Sequence, residues 1–360
     1  MSQLVVKLIS NPKDWFDARV SLRDAFLRNH NLGNTALTPI GSDMASRRYF
    51  RLQRDNGQTV LLMESVPDGS PLATPGHKLS DFIRLSAYLR SIGISTPEVF
   101  ESDEQDGYLL LEDFGDVSFK AALEQGMASR EDLYESATDI LIWLRQNAKA
   151  DTIALPDYYK SHVHTGRRRL IDWYVPAARG QSNPDGLVED YLAVWDKIER
   201  SLPPVPEGFL HIDFHFENLM YPKGVLDFQG AMKGPVPYDL ANLLEDARMD
   251  VPADLRDRMM TRYCQGMSAD EKKNFQDWYR VLATQFHCRV MGQFIRLAVD
   301  GGKPRYMDMI PRVAGYVREG LKDPVLKPLA DWFTAQKIDF AKVDGFDADV
   351  IRPHIRPDAF

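Results

Sequence analysis

Residues 209–230 set the aspartates Asp213 and Asp227, the carboxamide of Asn218 and the imidazoles of His211 and His215 into an otherwise apolar stretch. The first part reads His-x-Asp-x-x-x-x-Asn. After a turn at residues 222–224 comes Val-Leu-Asp-Phe, in which Asp227 leaves a short apolar strand. Packing alone is a poor reason for so many acceptors in so short a run. Phosphoryl transfer calls for pieces of this kind: one Asp to orient a substrate hydroxyl and take its proton, and an Asn with a second Asp whose oxygens hold Mg²⁺ on nucleotide phosphates. Mg²⁺ prefers hard oxygen ligands and keeps several waters, so two side chains and the phosphates suffice.

The elements that must position this stretch follow from periodicity. Apolar residues at Trp15, Phe16, Val20, Leu22, Ala25, Phe26 and Leu27 predict a packing helix over 11–30. Residues 37–52 read as strand, turn at Gly41, strand, and 59–64 as a further strand. Residues 78–91 read as a helix capped by Ser80 and stopped at Gly93. Two more strands are expected at 96–100 and 107–112, the second running out toward Gly115. Helices are expected at 119–125 and 130–148. The basic triplet 167–169 reads as a solvated helix face. Pro203, Pro204 and Pro206 stiffen the approach to the acceptor-rich stretch, and Asp239 heads an apolar helix that it can cap. Beyond residue 250 the pattern is helical throughout.

Composition limits the partners. The 360 residues, 44% of them hydrophobic, predict two lobes. A net charge of −8 and a pI near 5.6 argue against nucleic acid as a partner. Cys264 and Cys288 form neither a disulfide framework nor a C-x-x-C metal site. The N-terminal ten residues lack a cleavage pattern, and no run approaches the roughly 20 apolar residues of a membrane span. A cytoplasmic protein without a membrane partner is expected.

The motif resembles the catalytic segment of the aminoglycoside phosphotransferase and choline kinase superfamily. That likeness implies an α+β, protein-kinase-like bilobal fold: a small lobe (1–112) with an N-terminal helix, a nucleotide-covering hairpin and an antiparallel sheet, and a larger, mainly helical catalytic and acceptor-binding lobe (113–360). It implies ATP and Mg²⁺ as cofactors, Asp213 as catalytic base, His215 as an auxiliary donor to the transferred phosphate, and Asn218 and Asp227 as metal ligands. Leu-Leu-Leu-Glu-Asp-Phe-Gly (109–115) resembles the superfamily hinge, so Glu112 and Phe114 would hold adenine through main-chain groups. The usual small-lobe Lys is absent. Met63 or a neighbour stands in its strand, and Arg48 or Arg47 on the adjacent strand is the candidate replacement, since alternation lets only one of the two reach the same space.

Ser46–Arg51, residues 172–176 (Asp-Trp-Tyr-Val-Pro), 285–297, 300–306 and 310–313 resemble the bacterial N-acetylmuramate/N-acetylglucosamine anomeric kinases. Phe286 departs from that group, where a basic residue is common. The resemblance implies a small-molecule acceptor, a sugar phosphorylated on its anomeric hydroxyl in cell-wall recycling. An aminoglycoside, choline, ethanolamine or homoserine acceptor, or a nucleotide-binding pseudokinase, stands as the alternative. Oligomeric state is not readable from these residues.

Overall fold

A computed structural model describes residues 12–41, 46–74, 76–356 and 359. The N-terminal apolar run and the turn expected after Gly41 lie outside these residues. The chain forms two compact units: one from Met1–Leu133 and Phe216–Gly230, the other from Tyr134–His215 and Ala231–Phe360. The expected lobes were contiguous in sequence, whereas these units are not: 113–133 and 216–230 fall in the unit that holds the sheet.

The first unit is built on strands β1 (Thr38–Ile40), β2 (Arg47–Gln53), β3 (Thr59–Ser65), β4 (Val99–Asp103) and β5 (Tyr108–Glu112), in spatial order β1-β2-β3-β5-β4 with every neighbour antiparallel. Cross-strand partners share a face, so the register sorts the side chains. Leu52, Val60, Leu62, Tyr108 and Leu110 pack with Phe26, Leu27 and Leu32 into one apolar cluster. The opposite face carries Arg47, Tyr49, Arg51 and Met63, with Tyr49 paired to Met63 and Met63 to Leu109.

The helix expected over 11–30 is broken into α1 (Pro12–Asp17) and α2 (Val20–Asn29). At the break Arg19 leaves the helical conformation, and its guanidinium pairs with Asp106 and lies 4.5 Å from the Trp15 ring centroid. Helix α3 (Leu79–Ser91) starts where expected but by another device. Ser80 lies inside it and donates to Asp68, while the Asp68 carboxylate accepts the Leu79 and Ser80 amides and so satisfies the orphan N–H groups.

The second unit is mainly helical, with a two-stranded ladder of β6 (Glu207–Leu210) and β9 (Met232–Pro235). Between these in sequence, β7 (Leu219–Met220) and β8 (Gly224–Val225) form a short hairpin of the first unit. The long helix of the second unit, residues Ala269–Val299, opens with a reciprocal Ser268–Glu271 capping box. Buried Trp173, Trp195, Tyr191, Met291 and Ile295 belong to its core.

Residues Leu170–Tyr174 wind as a π-helix. Gly292 of the long helix allows this turn to approach closely, because a Cβ there would run into the carbonyl of Arg169. Backbone cannot step aside as a side-chain tip can. Gly292→Ala is therefore expected to destabilise the protein by about 1–3 kcal/mol or more, seen as a lower urea midpoint.

The basic triplet is not a solvated face. Arg167 is buried against Asp196 (2.6 Å) and Glu199 (3.0 Å), and Arg168 grips Asp172 through two bonds of 2.7 and 3.0 Å.

Candidate active site

In the second unit, β6 delivers the chain into the loop that carries Asp213. Ile212 stands at φ 78°, a conformation rare and strained for a β-branched residue. Buried Asp239, in α4 (Pro237–Leu244), accepts the amides of His211 (2.6 Å) and Ile212 (2.9 Å), and Asn242 on the same helix donates to the Ile212 carbonyl (2.8 Å). Asp239 thus holds the loop backbone rather than capping its own helix. The result is a clamped backbone beneath an accessible carboxylate: the Asp213 side chain is 56% exposed while its neighbour His215 is buried, with 3.6 Å from His215 Nε2 to Asp213 Oδ1.

Burial pushes the Asp239 carboxyl up to about 7, against the pull of its backbone donors. A carboxyl raised in the folded state adds stability that is complete below its ordinary value of 3.8 and is lost as pH rises through about 7. Asp239→Asn lacks that dependence, so the gap in urea midpoint between protein and variant is expected to be wider at about pH 5 than at about pH 8.

In the first unit, Asn218 immediately precedes β7 and Asp227 follows β8. The Leu226 amide donates to the Asn218 carbonyl at 2.8 Å, so the hairpin brings the two positions side by side at its open end. Asp227 takes φ 59°, a left-handed conformation that Asp tolerates better than most residues, and its carboxylate accepts from Gln229 Nε2. Among the described residues no group of three or more His, Cys, Asp or Glu is placed to hold a metal ion. One carboxylate and one carboxamide fit a hard cation whose remaining ligands are phosphate oxygens and water.

The two arginines of β2 diverge as alternation requires. Arg48 turns to Glu64 (2.9 Å) and Asp17 (3.0 Å), with its guanidinium 4.4 Å from the Phe16 ring centroid. It is therefore committed to ion pairs, contrary to its expected place at the nucleotide. Arg47 lies on the other face. It is 2% exposed and donates from Nη2 to the His77 carbonyl (2.8 Å); among the described residues Nε and Nη1 make no hydrogen bond of good geometry, and the Tyr49 hydroxyl is their polar neighbour. His77 Nδ1 stands 3.3 Å from Gln229 Nε2, which in turn holds Asp227. The hydroxyl of Tyr49 feels the charges of both Arg47 and Asp227. Met63 is fully buried on this face and supplies apolar wall only.

At the expected hinge, the Glu112 amide donates to the Glu98 carbonyl (2.8 Å) and its carboxylate takes Arg90 (3.0 Å). That amide is not left over for a base, a correction to the sequence expectation. The Phe114 ring lies on Gly224, where a Cβ would stand 2.6 Å from Cδ2. Arg51 fixes the segment by gripping Asp113 (2.6 and 2.9 Å) and Asp116 (2.7 Å). Gln229, His77, Arg51 and Asp113 were missed by sequence reasoning. The period-two spacing of Arg47, Tyr49 and Arg51 was the available signal for that face.

The family model of the phosphotransferase enzyme family matches residues 36–273. The chain belongs to that family. Similar relatives include the N-acetylmuramate/N-acetylglucosamine kinases of Pseudomonas aeruginosa (29% identical over 305 residues, 82% of this chain and 87% of the relative) and Caulobacter vibrioides (28% over 350 residues, 88% and 96%). Among solved structures, a GDP complex of aminoglycoside 2'-phosphotransferase-IIIa aligns with a TM-score of 0.54 at 14% identity, over 88% of this chain and 99% of that one. Plasmodium vivax ethanolamine kinase aligns with a TM-score of 0.55 at 8% identity, over 89% and 91%. At such identity they show the fold, which is the α+β kinase-like fold expected. The family member described here is thus a phosphotransferase acting on a hydroxyl group. Among the described residues no helix is long and apolar enough to cross a membrane.

Proposed function

We propose that the protein is an ATP-dependent, Mg²⁺-assisted kinase that phosphorylates the anomeric hydroxyl of an N-acetylated amino sugar, N-acetylmuramate or N-acetylglucosamine, in the cytoplasm. The observation that carries this reading is the open Asp213 carboxylate on a backbone clamped by Asp239, with Asn218 and Asp227 following in the order that phosphoryl transfer uses. The names of the relatives support the choice of sugar.

In this reading Asp213 accepts the hydroxyl proton as the sugar oxygen bonds to the γ-phosphorus and the bond from that phosphorus to the bridging oxygen breaks, releasing ADP. An anomeric hydroxyl is more acidic than an ordinary alcohol, so modest base assistance suffices. Mg²⁺ held by Asn218 and Asp227 would neutralise phosphate charge. His215 lies close enough to Asp213 to steady it or to donate to the transferred group. The Phe114 main chain would meet the adenine.

Arg47 takes the part of the missing lysine, because its Nε and Nη1, which make no hydrogen bond of good geometry among the described residues, lie on the sheet face tied through His77 and Gln229 to Asp227. Arg47→Met is expected to raise the KM for ATP about tenfold or more, the worth of one charge-assisted hydrogen bond. Arg48→Met is expected to change KM far less, and the reverse ranking would return the role to Arg48. The whole reading is tested by incubation with ATP, Mg²⁺ and a panel of amino sugars, aminoglycosides, choline, ethanolamine and homoserine. Product is read by mass shift, and phosphorus NMR locates the ester. No transfer to either sugar overturns it.

A further inference from the structure

Three arginines of the second unit converge, and among the described residues none of them forms an ion pair with an acid. Arg169 opens the π-helical turn, and Arg289 and Arg296 lie seven residues apart on the long helix, hence on one face. The close approach at Gly292, between those two positions in sequence, brings the turn against that face. At Gly166 a single added Cβ would meet both Arg169 Nη1 (2.8 Å) and Arg289 Cδ (3.4 Å), so these two side chains are neighbours.

Among the described residues, the guanidinium groups of Arg169 and Arg296 make no hydrogen bond or ion pair. Arg289 gives one N–H to the Tyr238 hydroxyl (3.0 Å), and its buried Nε has no partner among the described residues. Asp172, whose charge favours the charged form of Arg169, is gripped through both oxygens by Arg168. Burial and the fields of Arg289 and Arg296 push Arg169 down to about 10. On the same face Gln293 holds a buried carboxamide oxygen with no hydrogen-bond partner among the described residues.

Holding like charges together out of water is costly unless a counter-charge arrives, and this chain is otherwise acidic, at −8 overall. Arginine forks match carboxylates in paired hydrogen bonds. The cluster is also placed beside the chemistry, because the Tyr238 hydroxyl that Arg289 holds also feels the charge of Asp213. Phe286, the position that departs from the sugar-kinase pattern, supplies a ring 5.7 Å from the Arg289 guanidinium, so the cation stands one turn along from where that pattern has it.

We propose that Arg169, Arg289 and Arg296 form an anion subsite within the acceptor site, which receives a carboxylate carried by the sugar while Gln293 accepts from one of its hydroxyl or amide N–H groups. This inference rests on the kinase reading above and adds that the favoured acceptor is an acidic sugar.

Calorimetric titration tests it without requiring turnover, with N-acetylmuramate, its neutral lactyl carboxamide and N-acetylglucosamine as probes. The protein is expected to bind the carboxylate at least about tenfold more tightly than the carboxamide, and Arg169→Gln and Arg296→Gln are each expected to erase most of that preference. Equal affinity of the unaltered protein for carboxylate and carboxamide would overturn the proposal. So would variants that weaken all three sugars alike or that lower ATP affinity instead. A carboxylate preference without phosphate transfer would sink the kinase reading alone, whereas transfer to both natural sugars without that preference would sink the anion subsite alone.

Discussion

Asp213→Asn is expected to slow phosphate transfer by about 10²–10⁴-fold, the usual worth of a positioned general base. The carboxamide keeps the shape of the side chain and can still accept a hydrogen bond from the acceptor hydroxyl, but it cannot take the proton. The rest of the loop has no reason to move, since Asp239 and Asn242 hold its backbone at His211 and Ile212 rather than at Asp213. ATP affinity, followed by fluorescence titration, is therefore expected to persist while single-turnover transfer fails. If the variant turns over near the normal rate, Asp213 is not the base. If ATP binding disappears as well, the carboxylate serves the nucleotide rather than the acceptor.

Asp227→Asn is expected to have an effect of similar size by another route. In the metal site proposed above, the substitution would remove one of two protein ligands and its negative charge and so weaken the hold on Mg²⁺. Metal stabilisation of phosphoryl charge is worth several kcal/mol, so turnover is expected to fall about a hundredfold or more. Asn is the informative replacement because it tolerates the left-handed backbone at φ 59° and can still accept from Gln229. The concentration of Mg²⁺ giving half-maximal rate is expected to rise in the variant, and chelation is expected to silence the unaltered protein. An unchanged Mg²⁺ titration would remove Asp227 from the metal.

The strands and the reactive stretch were legible because each is a local pattern. Strand β3 is a short apolar run closed by the turn residues Pro67, Asp68 and Gly69, and the spacing of Asp213, Asn218 and Asp227 is visible within fifteen residues. The partners that orient them were less legible. Asp239 showed itself as a lone acid at the head of an apolar helix, yet its bonds to His211 and Ile212 depend on tertiary approach. The divergence of Arg47 and Arg48 followed from alternation, but which face would meet Glu64 and Asp17 was decided by where α1 packs, and no local signal carries that. Glu112 misled for the same reason: a strand end that reads as a hinge had already given its amide to Glu98. The basic triplet read as a water-facing run because its acids, Asp196 and Glu199, lie on a helix some thirty residues away.

The long helix that carries Arg289 and Arg296 also carries, N-terminal to both, the groups that surround buried Glu245: Tyr279 at 3.0 Å, Arg280 at 3.1 Å and His287 at 3.6 Å. At about 1.5 Å of rise per residue, the two sets share one rigid rod. Sequence drift around Glu245 therefore has a second outlet besides loss of stability. A change that slides or rotates the rod by a fraction of a turn re-aims the arginines, so at the proposed anion subsite the choice of acceptor can shift through positions that lie outside that subsite.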